Sequence, residues 1–153
     1  MDLDKKIIIS IITVVRNDEN NIEKTIKSVI SQKDKFVEYI IIDGNSRDNT
    51  KKIINKYKDY IDEFVSEPDK NLYDAINKGL KLTNGQLIGI CLSGDDYKLG
   101  AFNIVRNYFI KNPDADFFFG SIIRNYTGAT IIKQGFYPKK ILYNFDAQTS
   151  IST

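Results

Sequence analysis

Residues 7–15 read IIISIITVV, and this run of β-branched and other apolar side chains decides the fold. A strand with one face in water alternates apolar and polar residues, whereas this run is apolar at nearly every position. Such a strand is buried on both faces, which is typical of a parallel sheet with helices on each side. The run therefore predicts a central strand of an α/β fold.

Outward from this run, strands and helices are predicted to alternate over the first two-thirds of the chain. The apolar runs are separated by segments whose apolar residues recur every three or four positions, the spacing of one helical face. The alternation predicts an α/β sandwich with a largely parallel sheet, in a single domain over residues 1–153. The predicted strands are 7–15, VEYIIID at 37–43, a short strand around Phe64 and Val65, 86–92, DFFFGSII at 116–123 and ATIIK at 129–133; the predicted helices follow Asn20, Asp48 and Asn71 and cover 101–111.

Two predictions concern side chains within these elements. Asp48 is a candidate N-cap for the second helix, because its carboxylate can accept a hydrogen bond from a free backbone N–H of the first turn. Tyr73, Ile76 and Leu80 of the third helix are expected to face the core, as are the aromatic side chains of DFFFG at 116–120.

The composition excludes several classes of protein. The chain has 22 basic and 20 acidic residues and a formal net charge of +2, which gives no case for a nucleic-acid partner. A single cysteine, Cys91, excludes an internal disulfide, and its apolar neighbours favour a buried thiol over a nucleophile. The absence of histidine excludes His-based triads and metal sites that need imidazole.

The charge pattern predicts a cytoplasmic protein. The charges before the run 7–15 are of mixed sign, unlike those of a signal peptide, and the run is far shorter than the about 20 residues that span a bilayer. After residue 121 the basic residues outnumber the one acid, Asp146, which favours a solvated basic surface, with peripheral contact to an anionic membrane as the alternative. These basic residues are Arg124, Lys133, Lys139 and Lys140.

Polar side chains follow several predicted strands at the point where each strand ends. In parallel α/β sheets, ligands bind outside the carboxyl ends of the strands. The polar residues at these ends are therefore expected to converge on one edge of the sheet. They are Thr13, Arg16 and Asn17 after the first strand, Asp43 after the second, and Asp95 and Asp96 after a later one.

The acids at these ends have two interpretations each. Asp95 and Asp96 repel each other unless a cation neutralises them, and Mg²⁺ or Mn²⁺ would do so with help from substrate phosphates; alternatively, one of them caps the following segment. Asp43 either belongs to a polar turn with Gly44 or accepts a hydrogen bond from a ring N–H of a bound base. The sequence has neither the GxGxxG pattern of dinucleotide folds nor the GxxxxGK pattern of P-loops.

Three segments carry a recognisable pattern: SIITVVRNDENNIEKTIKSVISQ at 10–32, EYIIIDGNSRDNT at 38–50 and SEPDKNLYDAINKGLKLTNGQLIGICLSGDD at 66–96. Taken in order, they resemble the family 2 glycosyltransferases. This large inverting family includes many bacterial polysaccharide and lipopolysaccharide sugar transferases. The resemblance covers about residues 7 to 105. It implies the glycosyltransferase A fold, a Rossmann-like three-layer sandwich, together with a divalent metal, Mn²⁺ or Mg²⁺. It also implies a nucleoside-diphosphate sugar donor, expected to be UDP-linked, and a glycan or lipid-linked acceptor hydroxyl.

The resemblance implies a role for each residue that matches a family motif. Thr13 and Asn17 would border the nucleobase, and Asp43 would accept its N–H. DKNLYDAINKG at 69–79 matches the family pattern D-x-G-x-Y-D-A-x-N-x-G, in which Asp74 and Lys78 would border the nucleotide or sugar. Asp95 and Asp96 would be the metal and ribose acids. Glu67 and Asp69, which flank Pro68, either touch a substrate or belong only to a loop.

The sequence departs from the family pattern at two positions, and no general base is evident. Asn71 stands where the pattern has glycine, and Ser93 stands where a third acid often precedes the acid pair. Asp146 is the candidate base, with few residues after it to hold it in place. We therefore expect the donor-binding part of a longer or truncated transferase whose acceptor side is incomplete.

Two other functions remain as alternatives to catalysis of sugar transfer. One is a non-catalytic module that binds nucleotide sugars. The other is a phospho-receiver domain, which the lack of acids between the first strand and Asp18 makes a weaker alternative.

Overall fold

The main sheet of the protein consists of four parallel strands. The structure is a computed structural model, and it describes residues 8–112, 114–118, 120, 122–126 and 129–133. The four strands are β1 (Ile9–Val15), β2 (Val37–Asp43), β3 (Glu63–Ser66) and β4 (Leu87–Ile90), in the order β3-β2-β1-β4. The helices are α1 (Ile22–Ile30), α2 (Thr50–Asn55), α3 (Leu72–Leu80) and α4 (Ala101–Lys111), with a 3-10 turn at Lys58–Tyr60. The predicted α/β sandwich with a mostly parallel sheet is confirmed.

The two central strands are buried along their whole length. β1 and β2 pair in register from Ile9 opposite Val37 to Val15 opposite Asp43, and every residue of both is buried. Edge strands β3 and β4 are shorter and half-exposed. The apolar runs at 7–15 and 37–43 thus mark the centre of the sheet.

Helices cover both faces of this sheet. On one face, Ile12 and Ile40 belong to a core cluster that includes Ala75 of α3. On the other face, Ile11 and Tyr39 are buried equally well. The strand order explains which helix lies on which face of the sheet. The connections from β1 to β2 and from β2 to β3 run in one direction across the sheet, and the connection from β3 to β4 runs in the opposite direction. With right-handed crossovers, α1 and α2 share one face and α3 lies on the other.

Two helix starts differ slightly from the sequence predictions. α1 begins at Ile22 with Asn21 as its N-cap, one residue later than expected. α2 begins at Thr50, and its N-cap position is Asn49. Asp48 still supports the first turn, because its Oδ1 accepts the N–H of Thr50 at 3.0 Å.

The predicted inward face of α3 was wrong for Tyr73 and Leu80, whereas Ile76 is partly buried and packs against the core cluster. Tyr73 is 74% exposed and Leu80 is 37% exposed. The buried residues are Ala75 and Gly79, four positions apart. A Cβ on Gly79 would lie 2.6 Å from Cγ2 of Ile12, so α3 makes its closest approach to the sheet through its small residues.

The chain divides into two compact units, residues 1–106 and residues 107–153, and α4 runs across the division. Within it, an antiparallel hairpin joins β5 (Ile122–Tyr126) and β6 (Ala129–Lys133), so the predicted strand at 129–133 is confirmed. The predicted strand at 116–123 begins only at Ile122, and Phe117 is 60% exposed. Phe118 packs edge-to-face against Phe109, with 6.3 Å between the ring centroids. Among the described residues, no helix is both long enough and apolar enough to cross a membrane.

Candidate functional site

A cavity of about 410 Å³ opens at the carboxyl edge of the sheet, where ligand sites are expected in this class of fold. Three segments form its wall: residues 14–18 at the end of β1, the approach to α3, and the loop after β4. Its polar lining is Arg16, Asn17, Asp18, Asp69, Asn71 and Ser93.

The first wall segment is tied to the loop between β2 and α2. Asn17 has a left-handed backbone, with φ of 51°, and its Oδ1 accepts the N–H of Arg47 at 2.8 Å. The N–H of Asn17 donates to Oγ of Ser46 at 2.7 Å. Three more bonds join the same loops: Asp18 N–H to Thr50 Oγ1 (3.0 Å), Glu19 N–H to Asp48 Oδ2 (3.1 Å) and Asn49 N–H to Glu19 Oε2 (2.8 Å).

Asp43 lies beneath these loops and is completely buried. Its Oδ1 accepts a hydrogen bond from the hydroxyl of Ser46, and its Oδ2 accepts from the hydroxyl of Ser66 at 2.6 Å and from the N–H of Ser46 at 3.1 Å. The carboxylate therefore connects the loop after β2 to the end of β3. Both of its oxygens have partners within the protein.

Thr13 is also completely buried and does not line the cavity. Its Oγ1 lies 3.0 Å from the hydroxyl oxygen of Tyr39. Burial raises the pKa of Tyr39, so this hydroxyl stays neutral.

Lys78 contacts the second wall segment, the approach to α3, but does not itself line the cavity. Its Nζ lies 2.6 Å from Oδ1 of Asp69, 2.9 Å from Oε1 of Glu67 and 3.6 Å from Oδ2 of Asp74, and it donates to the carbonyl of Pro68 at 2.8 Å. The hydrogen bonds to Asp69 and Glu67 raise the pKa of Lys78. The ammonium group thus stays charged and fixes the loop that approaches α3.

Asn71 and Asp74 complete the start of α3. Oδ1 of Asn71 accepts the N–H of Asp74 at 3.0 Å, a standard N-cap bond. Oδ2 of Asp74 accepts the N–H of Lys70 at 3.0 Å, and this bond lowers the pKa of Asp74. The backbone of Asn71 is extended, with φ of −168°, so asparagine fits this position without strain.

Asp95 and Asp96 lie beyond the end of β4 and contact α1. Oδ1 of Asp96 lies 2.7 Å from Nζ of Lys24, which lowers the pKa of Asp96, and its Oδ2 lies 3.6 Å from Nζ of Lys98. The backbone carbonyl of Asp95 accepts the hydroxyl of Thr25 at 2.7 Å. Together these contacts hold the loop after β4 against α1.

Ser93 brings the third wall segment to the first. Its hydroxyl donates to Oδ2 of Asp18 at 2.6 Å, and Nδ2 of Asn21 donates to Oδ1 of the same carboxylate at 2.6 Å. Asp18 therefore places a negative charge in the cavity next to Ser93. It was not among the predicted site residues, because the contact joins positions that are 75 residues apart.

The sequence profile of Glycosyl transferase family 2 matches residues 10–150. The chain belongs to this family. Among its relatives, the putative teichuronic acid biosynthesis glycosyltransferase TuaG of Bacillus subtilis is 27% identical over 143 residues, which cover 91% of this chain and 56% of TuaG. The Escherichia coli enzyme named UDP-Glc:alpha-D-GlcNAc-diphosphoundecaprenol beta-1,3-glucosyltransferase WfaP is 38% identical over 91 residues, which cover 59% of this chain and 36% of WfaP.

Solved structures share the fold at low sequence identity. S. aureus TarS 1–349 in complex with UDP-GlcNAc superposes with a TM-score of 0.65 and 19% identity over 69% of this chain and 32% of TarS. The mannosyltransferase PcManGT from Pyrobaculum calidifontis, in complex with GDP-Man and Mn²⁺, gives a TM-score of 0.61 at 16% identity over 66% of this chain and 32% of that protein. The chain also spans 34% of the length of the uncharacterized glycosyltransferase Rv1514c of Mycobacterium tuberculosis, to which it is 33% identical over 90 residues.

For a family 2 glycosyltransferase, the fit of a divalent metal can be judged from the acids present. Asp95 and Asp96 carry carboxylate oxygens, the ligand type that Mg²⁺ and Mn²⁺ prefer. In the part of the chain that is described, no group of three or more acidic, histidine or cysteine side chains is placed to hold a metal ion. The two acids supply the ligand type of a site in which one or two carboxylates are completed by substrate phosphates and water. Asp96, however, is paired with Lys24 and Lys98, and neither acid is among the residues that line the cavity.

The structure separates the predicted site residues of this family 2 chain by their depth. Asn17 lines the cavity; Thr13 and Asp43 lie beneath it, Asp74 and Lys78 stand behind its wall, and Asp95 and Asp96 meet α1. Asp146 lies outside the described residues. The roles of these residues stay predictions. Arg16 and Asp69 also line the cavity. Their positions in the sequence, shortly after β1 and β3, were the feature from which this could have been predicted.

Proposed function

We propose that the chain binds a nucleoside-diphosphate sugar in the cavity at the carboxyl edge of the sheet. We propose further that it takes part in transferring the sugar to an acceptor hydroxyl during cell-surface glycan synthesis. The observation that carries this proposal is a cavity lined by polar residues from three loops, in a chain that belongs to Glycosyl transferase family 2. UDP is the proposed nucleotide, since WfaP is named for UDP-Glc and TarS binds UDP-GlcNAc.

The proposed roles of the predicted residues follow their depth in the site. Asn17 borders the nucleobase directly, while Thr13 supports the strand beneath it. Asp43 accepts the base N–H if the hydroxyl of Ser46 or Ser66 turns away from it. Asp74 and Lys78 shape the wall near the nucleotide or sugar.

Transfer with inversion has a simple balance of bonds. The acceptor oxygen attacks the anomeric carbon from the side opposite the diphosphate, a new C–O bond forms, and the bond from carbon to the phosphate oxygen breaks. A general base takes the hydroxyl proton, for which Asp146 is the proposed residue. Asp95 and Asp96 would hold a divalent metal, which supplies positive charge to the leaving diphosphate when bound.

A lipid-linked or glycan acceptor is proposed from the relatives, and a cytoplasmic place at the membrane surface follows from it. WfaP is named for an acceptor on diphosphoundecaprenol. Peripheral contact with an anionic membrane would use the four basic residues after residue 121, a segment that contains only one acid.

Calorimetry with nucleoside diphosphates tests donor binding. We expect UDP to bind, and to bind more tightly with Mn²⁺ or Mg²⁺ than with EDTA. Asn17→Ala should weaken binding, whereas Asn77→Ala, on the exposed side of α3, is the control that should leave it unchanged. If no nucleoside diphosphate binds at millimolar concentration, the proposed function is rejected.

A transfer assay then separates an enzyme from a binding module. Because the acceptor side is expected to be incomplete, we expect the chain to transfer sugar from a UDP-sugar poorly. Full transfer that Asp146→Asn lowers about 10²–10⁴-fold, without a change in UDP affinity, would instead make Asp146 the base of a complete enzyme. Tight binding of UDP without transfer or hydrolysis would instead indicate a non-catalytic nucleotide-sugar module.

A further inference from the structure

Asn84 and Gly85 lie between α3 and β4, next to the start of β1, and neither lines the cavity. In the whole sequence, this is the only place where glycine follows asparagine. The pair is chemically labile, because the backbone nitrogen of the following residue can attack the side-chain carbonyl of asparagine, and glycine has no side chain to hinder the approach. Asn84 is therefore a candidate for spontaneous loss of its amide nitrogen.

Hydrogen bonds hold both groups that would react. The N–H of Gly85 donates to Oγ of Ser10 at 2.8 Å, and the hydroxyl of Ser10 donates to Oε2 of Glu38 at 2.6 Å. Nδ2 of Asn84, the group that would leave, donates to Oε1 of Glu38 at 2.7 Å and to the carbonyl of Leu82 at 3.2 Å. The attack requires that these bonds break, because the nitrogen must lose its proton and the carboxamide must turn toward it.

These bonds, rather than burial, protect Asn84. The residue is exposed, so water reaches it. Glu38 and Ser10, by contrast, are 6% and 0% exposed. A buried carboxylate needs hydrogen-bond donors, and Asn84 supplies two of them, since its backbone N–H also donates to Oε2 of Glu38 at 2.9 Å.

Packing also fixes glycine at position 85. A Cβ there would lie 2.6 Å from Oγ of Ser10, 2.7 Å from the backbone nitrogen of Ser10 and 2.9 Å from the carbonyl carbon of Ile9. A side chain that would slow the attack on Asn84 therefore does not fit against β1. The contacts that require this labile pair are the same contacts that restrain it.

We propose that Asn84 is a site of spontaneous deamidation, which the folded structure suppresses and which opening of the segment between α3 and β4 permits. In the opened segment, the nitrogen of Gly85 loses its proton and bonds to Cγ of Asn84. The bond from Cγ to Nδ2 breaks, and the leaving nitrogen takes up the proton as ammonia. Water then opens the succinimide that has formed, which leaves aspartate or isoaspartate at position 84.

Neither product fits the closed segment. Aspartate places an oxygen where Nδ2 of Asn84 lay 2.7 Å from Oε1 of Glu38, so two carboxylates meet in place of a donor and an acceptor. Isoaspartate adds a backbone atom and displaces Gly85 from Ser10. The reaction is therefore one-way, and it removes opened molecules from the folded population.

Mass spectrometry of peptides that contain Asn84 measures the reaction after incubation in mildly alkaline buffer. We expect deamidation in the folded protein to be at least about tenfold slower than in the same chain unfolded in urea. Ser10→Ala removes the acceptor of the Gly85 N–H and should speed the reaction under folding conditions. Ser31→Ala, which removes an exposed hydroxyl at the end of α1, is the control and should leave the rate unchanged.

The fit of the product is measured separately by urea unfolding. Asn84→Asp should lower the urea midpoint of unfolding at neutral pH. The decrease should be smaller when Glu38→Gln is also present, because the repulsion between two carboxylates is then absent.

Several outcomes would overturn the proposal. They are equal rates of deamidation in the folded and unfolded chain, no deamidation in the unfolded chain, or an unchanged rate in Ser10→Ala. An Asn84→Asp variant with the urea midpoint of the original protein would show that the product fits and that the reaction is not one-way. If Ser10→Ala does not fold, the comparison of folded and unfolded original protein decides the question alone.

Discussion

Glu38 shows how a single buried carboxylate joins distant segments. It is 6% exposed and accepts hydrogen bonds from Oγ of Ser10 at 2.6 Å, from the N–H of Asn84 at 2.9 Å and from Nδ2 of Asn84 at 2.7 Å. Burial raises the pKa of Glu38, but the bonds from Ser10 and Asn84 outweigh that effect and the net pKa is lowered. The ionised form therefore stabilises the fold.

Glu38→Gln should lower the free energy of unfolding at pH 7 by about 1–3 kcal/mol, since one acceptor oxygen is lost. The pKa is lower in the folded state than in the unfolded state, where it is about 4.3. The stability from ionised Glu38 is thus complete above that pH and disappears as the pH falls through the folded-state value.

Urea unfolding of both proteins between pH 7 and pH 3 checks this sign. The difference in unfolding free energy should stay constant near neutrality and shrink below about pH 4.3. A difference that grows on acidification would mean that the folded protein prefers protonated Glu38.

Individual site residues were harder to predict than the edge on which they meet. The rule that ligands bind at the carboxyl ends of parallel strands located the cavity and Asn17. The rule did not reveal that the carboxylate of Asp43 accepts hydrogen bonds from Ser46 and Ser66, because these contacts form only when the chain folds. The pairing of Asp18 with Ser93 was hidden for the same reason.

At the scale of elements, α3 depends on close packing against β1. Gly79→Ala would place a Cβ 2.6 Å from Cγ2 of Ile12 in the core. We expect a loss of about 1–3 kcal/mol in the free energy of unfolding from overpacking, which exceeds the gain in helix propensity of up to about 1 kcal/mol.

Urea unfolding measures the loss, with Asn77→Ala as the control. Asn77 lies on the exposed side of α3, two residues before Gly79. Its replacement should leave stability unchanged or raise it slightly. If Gly79→Ala is also as stable as the original protein, α3 can move away from Ile12 at no cost.

Elements were predicted best where one periodicity dominates the sequence. The second strand, Val37–Asp43, and the last helix, Ala101–Lys111, begin and end where the sequence predicts. In α3, large and small residues both recur at helical spacing, and the close approach to β1 selected the small face. Phe117 and Phe118 are apolar enough for a strand, but apolarity alone does not supply a pairing partner.

At the scale of the whole molecule, the sheet has a fully buried centre and half-exposed edges. Hydrogen exchange should therefore be slowest for the amides of β1 and β2, and faster for those of β3 and β4. Mass spectrometry of exchanged peptides measures this order. Equal protection of peptides from residues 9–15 and 87–90 would show that the β4 edge is covered in solution.

The hydrogen bonds between the loops after β1 and β2 limit how these loops can be exchanged between related proteins. They join residues that are 29 to 32 positions apart, and each loop satisfies polar groups of the other. A chimaera that takes residues 16–19 from a relative without residues 45–50 leaves those groups mismatched. The two segments therefore behave as one module, which evolution or an engineer has to exchange as a pair.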